Sequence, residues 1–218
     1  MELIIGNKNY SSWSLRGWLV LKAFEINFSE HKLKLFTEEF YSEVSKVSGA
    51  GKVPVLIDGE HCIWDSLAIC EYVNEQYLEG RGWPETVSAR AEARSISCEM
   101  HSGFMALRDE LPMNCRAKRS VELSESAQKD IARIKSIWGT LREQHSAKGP
   151  WLFGNFSIAD VMYAPVVLRF KTYGIELDSQ GQEYMQTVLA FPPLLEWLEG
   201  AAGENDIVVE DEAGEEVE

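Results

Sequence analysis

Gly51-Lys52-Val53-Pro54-Val55-Leu56-Ile57-Asp58-Gly59, continued through Cys62-Ile63-Trp64-Asp65-Ser66-Leu67-Ala68-Ile69, decides how the whole chain reads. Val53 to Ile57 is apolar and β-branched, the composition of a strand. Asp58-Gly59 is a dipeptide that tight hairpin turns favour, because their central residues take positive φ. Cys62-Ile63-Trp64 can return as the partner strand. Asp65-Ser66 then offers an N-cap to a helix whose apolar face is Leu67, Ile69, Tyr72 and Val73. Pro54 cannot donate to a sheet ladder, so taken alone it reads as an ordinary edge-strand proline. Proline also accepts a cis peptide bond at low cost. A cis bond here leaves the Val53 backbone open to strand addition by an extended peptide.

At 218 residues the chain suits one large or two small domains. A hydrophobic content of 45% with 26% charged residues is that of a soluble globular protein. No apolar run is long enough for a transmembrane helix, and Met1-Glu2-Leu3-Ile4-Ile5 lacks the pattern of a signal peptide. A net charge of −14 argues against nucleic acid or anionic membrane as partners. Eight of the acidic residues fall between Gly203 and Glu218 with no basic residue among them, the pattern of a solvated, flexible tail. The four cysteines, Cys62, Cys70, Cys98 and Cys115, have no Cys-x-x-Cys spacing, so zinc and dithiol redox motifs are absent and a reducing cytoplasm is expected. The four histidines are scattered, and no metal is expected.

Leu3-Ile4-Ile5 reads as a first strand. Tyr10-Ser11-Ser12-Trp13-Ser14 precedes Leu15, Trp18, Leu19 and Ala23 at helical spacing. The serines therefore stand at a strand-to-helix junction, where free N–H groups and the helix dipole face an anion. Simple N-capping accounts for any one of them and, on the local pattern alone, is the better reading. Phe28 to Leu35 reads as a second strand, and Thr37-Glu38-Glu39-Phe40 as a helix start. Residues 1–79 thus follow the order βαβαββα, and the glycines and proline of 80–85 mark a linker. From 86 to 202 the pattern is helical throughout. Ala93, Ile96, Met100, Phe104, Leu107 and Leu111 step along one long helix that stops at Pro112. Ile131, Ile134, Trp138 and Leu141 mark another. Ser157-x-x-Asp160 is a capping box ahead of a third, and Pro192-Pro193 opens the last. The acidic tail occupies 203–218.

Val53-Pro54, Asp65-Ser66-Leu67-Ala68-Ile69 and Ser157-Ile158-Ala159-Asp160, in this order, resemble the cytosolic glutathione transferase superfamily. Ser11-Ser12-Trp13-Ser14-Leu15-Arg16 is similar to the Ser-Ser-Cys-Ser motif of its zeta class, which includes maleylacetoacetate isomerases, and departs from it at Trp13. The resemblance implies an α+β protein, with an N-terminal thioredoxin-like domain and an all-α C-terminal domain. It implies glutathione as co-substrate, activated by a serine hydroxyl for attack on a small electrophile. Ser11 matches the catalytic serine, with Ser12 a rival one residue on. Glutathione is expected to meet Lys52 through its glycyl carboxylate and the backbone of Val53, beside Pro54, through its cysteinyl unit. Asp65 is expected to meet its ammonium and Ser66 its γ-glutamyl carboxylate. The electrophile is expected near Met100, His101, Phe104 and Arg108, although Met100 and Phe104 read better as core. A homodimer follows from the resemblance, whereas thiol–disulfide exchange is disfavoured by the missing cysteine at the first helix. The rival reading is a binding or regulatory module of the same fold.

Overall fold

The computed structural model describes residues 1–217. The N-terminal part runs β1 (Glu2–Ile5), α1 (Ser12–Ala23), β2 (Ser29–Lys32), α2 (Glu38–Val47), β3 (Val55–Asp58), β4 (His61–Trp64) and α3 (Ser66–Gln76). The strands form one sheet in the order β2-β1-β3-β4. β1 lies parallel to β2 and antiparallel to β3, which pairs antiparallel with β4. A parallel neighbour needs a crossover, and α1 supplies it. Side chains alternate across a strand. Leu3, Ile5 and Leu56 accordingly join the core beneath α1 and α3, while Ile4 and Val55 pack on Phe40 and Val44 of α2.

The Val53–Pro54 peptide is cis. Gly17 lets α1 lie on this segment, since a Cβ there would stand 3.1 Å from the Pro54 ring. The hairpin turn sits one residue later than the sequence suggested. Asp58 pairs with His61, so the central residues are Gly59 and Glu60, and of these only Gly59 has positive φ, at 59°. That is the pattern of the II′ class, with glycine at the first central position.

The rest is helical: α4 (Val87–Ser102), α5 (Met105–Glu110), α6 (Glu125–His145), α7 (Ile158–Thr172), α8 (Ser179–Leu189) and α9 (Pro192–Ala202), with a two-residue strand β5 (Arg119–Ser120). The single long helix expected through Leu111 is broken at Gly103-Phe104, where Phe104 takes φ 57°. Glycine is a poor helix former, and the break frees carbonyls at the end of α4. The Arg108 guanidinium accepts that task, donating to the carbonyls of Gly103 (3.0 Å), His101 (3.4 Å) and Met100. α7 runs through the middle of the domain, with every residue but Lys171 buried. No helix among the described residues is long and apolar enough to cross a membrane.

The acidic tail departs most from expectation. Residues 203–217 are folded back along the β1–α1 loop and end in β6 (Glu215–Glu216), paired with β5. Glu204 accepts from the Lys8 and Asn9 N–H groups at 2.9 and 3.0 Å and from Lys32 Nζ at 2.9 Å. Asp206 meets Lys34 at 2.7 Å and Asn7 at 3.1 Å. Glu212 accepts from the Tyr10 hydroxyl at 2.5 Å and from Arg119. A run of like charge reads as self-repelling only until its counter-charges are known. Here they come from residues more than 80 positions upstream.

Candidate functional site

Ser11 is the N-cap of α1, its Oγ accepting from the Ser14 N–H at 3.3 Å. It also donates to Ser14 Oγ at 2.7 Å. Ser12 Oγ accepts from the Arg169 guanidinium at 3.3 Å. Both serines are nearly buried and border a cavity of about 470 Å³. Lys52 and Val53 also line it, with Arg108 of α5, Arg169 of α7 and Asp211 of the tail. Phe36, Phe40, Tyr41 and Met113 make the remaining wall apolar. The backbone N–H and C=O of Val53 make no hydrogen bond among the described residues.

Asp65 caps α3, accepting from the N–H groups of Leu67 (2.9 Å) and Ala68 (3.3 Å). Its φ of 76° is costly for a residue with a Cβ. Ser66 follows as the first helical residue, buried, and its hydroxyl has no partner. His101 approaches from α4, with Nε2 3.0 Å from Asp65 Oδ2, and rests on the edge of the Trp13 ring. Burial holds the His101 imidazole below its ordinary pKa, against the pull of Asp65.

Of the residues expected near the electrophile, only Arg108 borders the cavity. Met100 and Phe104 lie in the core, and His101 is taken up by Asp65 and Trp13. Pro54 is buried under α1, and Asp65 and Ser66 lie beyond the cavity's rim. A larger depression of about 730 Å³ lies under the 80–85 linker and gathers none of the candidate catalytic, glutathione-binding or electrophile residues.

Two family models match this chain: "Glutathione S-transferase, N-terminal domain" over residues 10–76 and "Glutathione S-transferase, C-terminal domain" over residues 122–200. The chain belongs to the glutathione S-transferase family. A probable maleylacetoacetate isomerase of Caenorhabditis elegans is 27% identical over 168 residues, 76% of this transferase chain and 77% of the relative. Its counterpart from Vibrio cholerae is 26% identical, covering 94% and 97%. Those names agree with the zeta-like motif at Ser11–Arg16. Among solved structures, a glutathione transferase homologue from Burkholderia with bound glutathione shares the fold at a TM-score of 0.72. It is 23% identical, with 93% of this chain and 98% of that one covered. A bacterial maleyl pyruvate isomerase of the zeta class also gives 0.72, at 17% identity, with 94% and 100% covered.

Around the candidate site stand residues to which the motif reading gave no role, Arg16, Arg169 and Asp211. Arg16 and the expected Arg108 both stand over the Trp13 ring, at 4.6 and 4.7 Å from its centre. Arg169 is a buried charge in a helix that is apolar on nearly every side. Such a helix is buried, and a charge within it must find partners; that signal was present and unused. Asp211 carried no signal, since a solvated tail and a folded strap have the same composition.

Proposed function

We propose that this protein is a glutathione transferase in which one hydroxyl of the Ser11-Ser12 pair holds the glutathione sulfur as thiolate for attack on a small electrophile. The observation that carries this reading is a single cavity that gathers two hydroxyls at a helix N-terminus, an unpaired stretch of Val53 backbone and the Lys52 ammonium. An extended peptide with a thiol in its middle matches that set. Its cysteinyl backbone pairs with Val53, and its glycyl carboxylate meets Lys52. Ser66, with an unpartnered hydroxyl at the start of α3, takes the γ-glutamyl carboxylate. Asp65 takes the ammonium.

An ordinary thiol has a pKa of about 8.5 and is mostly protonated at neutral pH. A charge-assisted hydrogen bond with the dipole of α1 supplies about one to two units of lowering, at about 1.4 kcal/mol each. The thiol proton leaves to solvent. In conjugation, sulfur bonds to the electrophilic carbon as the leaving group departs. In isomerisation, sulfur adds to a conjugated double bond, the new single bond rotates, and the thiolate is expelled again with glutathione conserved. The names of the curated relatives favour the second course. The reading extends to a homodimer in the cytoplasm, a compartment that suits four free cysteines.

Calorimetry with glutathione, beside turnover of an activated aryl halide, tests it. Saturable binding with turnover is the expected result. No heat at millimolar glutathione overturns the enzyme reading and leaves a transferase-shaped binding module.

A further inference from the structure

The two hydroxyls at the start of α1 differ in what they already hold. Ser11 Oγ is closed into the cap: it accepts from Ser14 N–H and donates to Ser14 Oγ, which in turn accepts from Gly6 N–H at 3.0 Å. Ser12 Oγ accepts from Arg169, and its own proton has no acceptor among the described residues. A hydroxyl whose oxygen accepts from a cation is polarised toward donation.

Arg169 is itself fixed. It donates to the carbonyls of Leu111 and Arg108 from the last turn of α7. Arg16 donates to the Met162 carbonyl at 3.1 Å and leaves one guanidinium nitrogen buried without a partner. Among the described residues none of Arg16, Arg108 and Arg169 has a carboxylate within salt-bridge distance. Buried positive charge left without a counter-ion is costly, and an incoming anion relieves it. Burial first, and Arg108 next, pull Arg16 to about 9 and Arg169 to about 10, both below the ordinary guanidinium range. The groups facing Arg169 are Arg108 on α5, Asp211 on the tail, Tyr173 after α7 and Cys115. Asp211 is the one carboxylate bordering the cavity among the described residues, and burial raises its pKa to about 6.

We infer that Ser12, not Ser11, donates the hydrogen bond to the glutathione sulfur, and that Arg169 is the positioning residue that orients and polarises it. The inference rests on the glutathione reading above. It assigns part of the thiolate stabilisation to the helical domain, through a contact that joins residues 157 positions apart. No bond to the protein forms; the thiol proton goes to solvent and the thiolate keeps the electron pair.

The test is a pH titration of enzyme-bound glutathione, followed by thiolate ultraviolet absorbance. Wild type is set beside Ser12→Ala, Ser12→Thr, Ser11→Ala and Arg169→Gln. Ser12→Ala is expected to raise the bound thiol pKa by about one unit, with roughly tenfold less thiolate well below that pKa. Glutathione Kd should move by less than about threefold, because binding rests on the other groups. Ser12→Thr, which keeps the hydroxyl, should titrate near wild type, and Arg169→Gln should shift in the direction of Ser12→Ala. Because Arg169 is buried, the three serine variants decide the matter if Arg169→Gln does not fold. A shift in Ser11→Ala with none in Ser12→Ala overturns the inference, as does an unshifted Ser12→Ala alone. Absence of glutathione binding by wild type overturns instead the reading on which it rests.

Discussion

The starts of α7 and α3 use the same two residue types to opposite ends. At α7, Asp160 is almost wholly buried and its acceptor sites are filled. Oδ2 accepts from the Ser157 N–H at 2.9 Å and hydroxyl at 3.2 Å; Oδ1 accepts from the Leu152 N–H at 3.1 Å and the Tyr184 hydroxyl at 3.2 Å. At α3, Asp65 satisfies two N–H groups but is half-exposed in a strained conformation, and the adjoining Ser66 hydroxyl is buried with nothing to bond. A cap whose partners are all internal is a folding device. A cap that stores strain and leaves a polar group unmatched is arranged for something outside the chain.

The strongest way to break this comparison is at the closed end. Asp160→Ala leaves two N–H groups and two hydroxyls buried without their acceptor. At about 1–3 kcal/mol for each stranded group, partly relieved by relaxation, the loss should be on the order of 3 kcal/mol. Urea unfolding measures it, and a loss below about 1 kcal/mol would mean that the α7 cap is no more than an ordinary surface cap. The pH dependence has a definite sign. Burial raises Asp160 from 3.8 to about 6, so the folded state binds this proton more tightly than the unfolded chain. That contribution is fully present below about pH 4 and is lost as pH rises through about 6. Asp211 is raised to about 6 for the same reason and acts in the same direction. Asp160→Asn should therefore reduce, without abolishing, the fall in stability between pH 4 and 6.

Glu204 should behave as a second closed site of smaller effect. Its carboxylate is held by the Lys8 and Asn9 N–H groups and by Lys32, so an internal anion fills the donors just ahead of the serine loop. Glu204→Ala should cost about 2 kcal/mol in urea unfolding. Glu204→Gln retains one acceptor oxygen and should cost about half as much. If Glu204→Ala is neutral, the tail is only draped on the loop and the comparison loses its second case.

The fold was legible because its signals are local. Strand composition at Val53–Ile57, the cap at Asp65 and the box at Ser157–Asp160 each lie within a few residues. The hairpin shift by one residue shows the limit of dipeptide signals: Asp58-Gly59 marks a turn, and pairing across the sheet decides where it closes. The α4–α5 break was missed because Met100, Phe104 and Leu107 keep helical spacing across it, and spacing does not report the Arg108 guanidinium that takes over the freed carbonyls. Ser11, Ser12, Lys52 and Val53 were legible from motifs, and the cavity brings them together. Asp211 was not, because its meaning lies in contacts between distant parts of the chain; Arg16 stood in the quoted motif without a role, and Arg169 showed only as a buried charge in need of partners. The tail shows this most plainly, since nothing between Gly203 and Glu218 names Lys8, Lys32, Lys34 or Arg119 as its partners.

At the open cap the expected effect on stability is the smallest and the effect on ligand the most telling. The Ser66 hydroxyl has no intramolecular partner, so Ser66→Ala removes no hydrogen bond and relieves one unsatisfied group. Its unfolding free energy should stay within about 0.5 kcal/mol of wild type, or rise slightly. On the glutathione reading the same hydroxyl meets a carboxylate, and a bond to a charged group contributes about 1.5–3 kcal/mol. Glutathione Kd should then weaken by roughly tenfold or more. Asp65→Asn provides the control: it keeps the capping oxygen, so stability should hardly move, while the charge facing the ammonium is gone. Calorimetry and urea unfolding on the two variants separate the cases. Weakened binding at unchanged stability marks the α3 start as a ligand site. Lost stability at unchanged binding would make it a second α7, and the unmatched hydroxyl would be a folding defect that the protein tolerates.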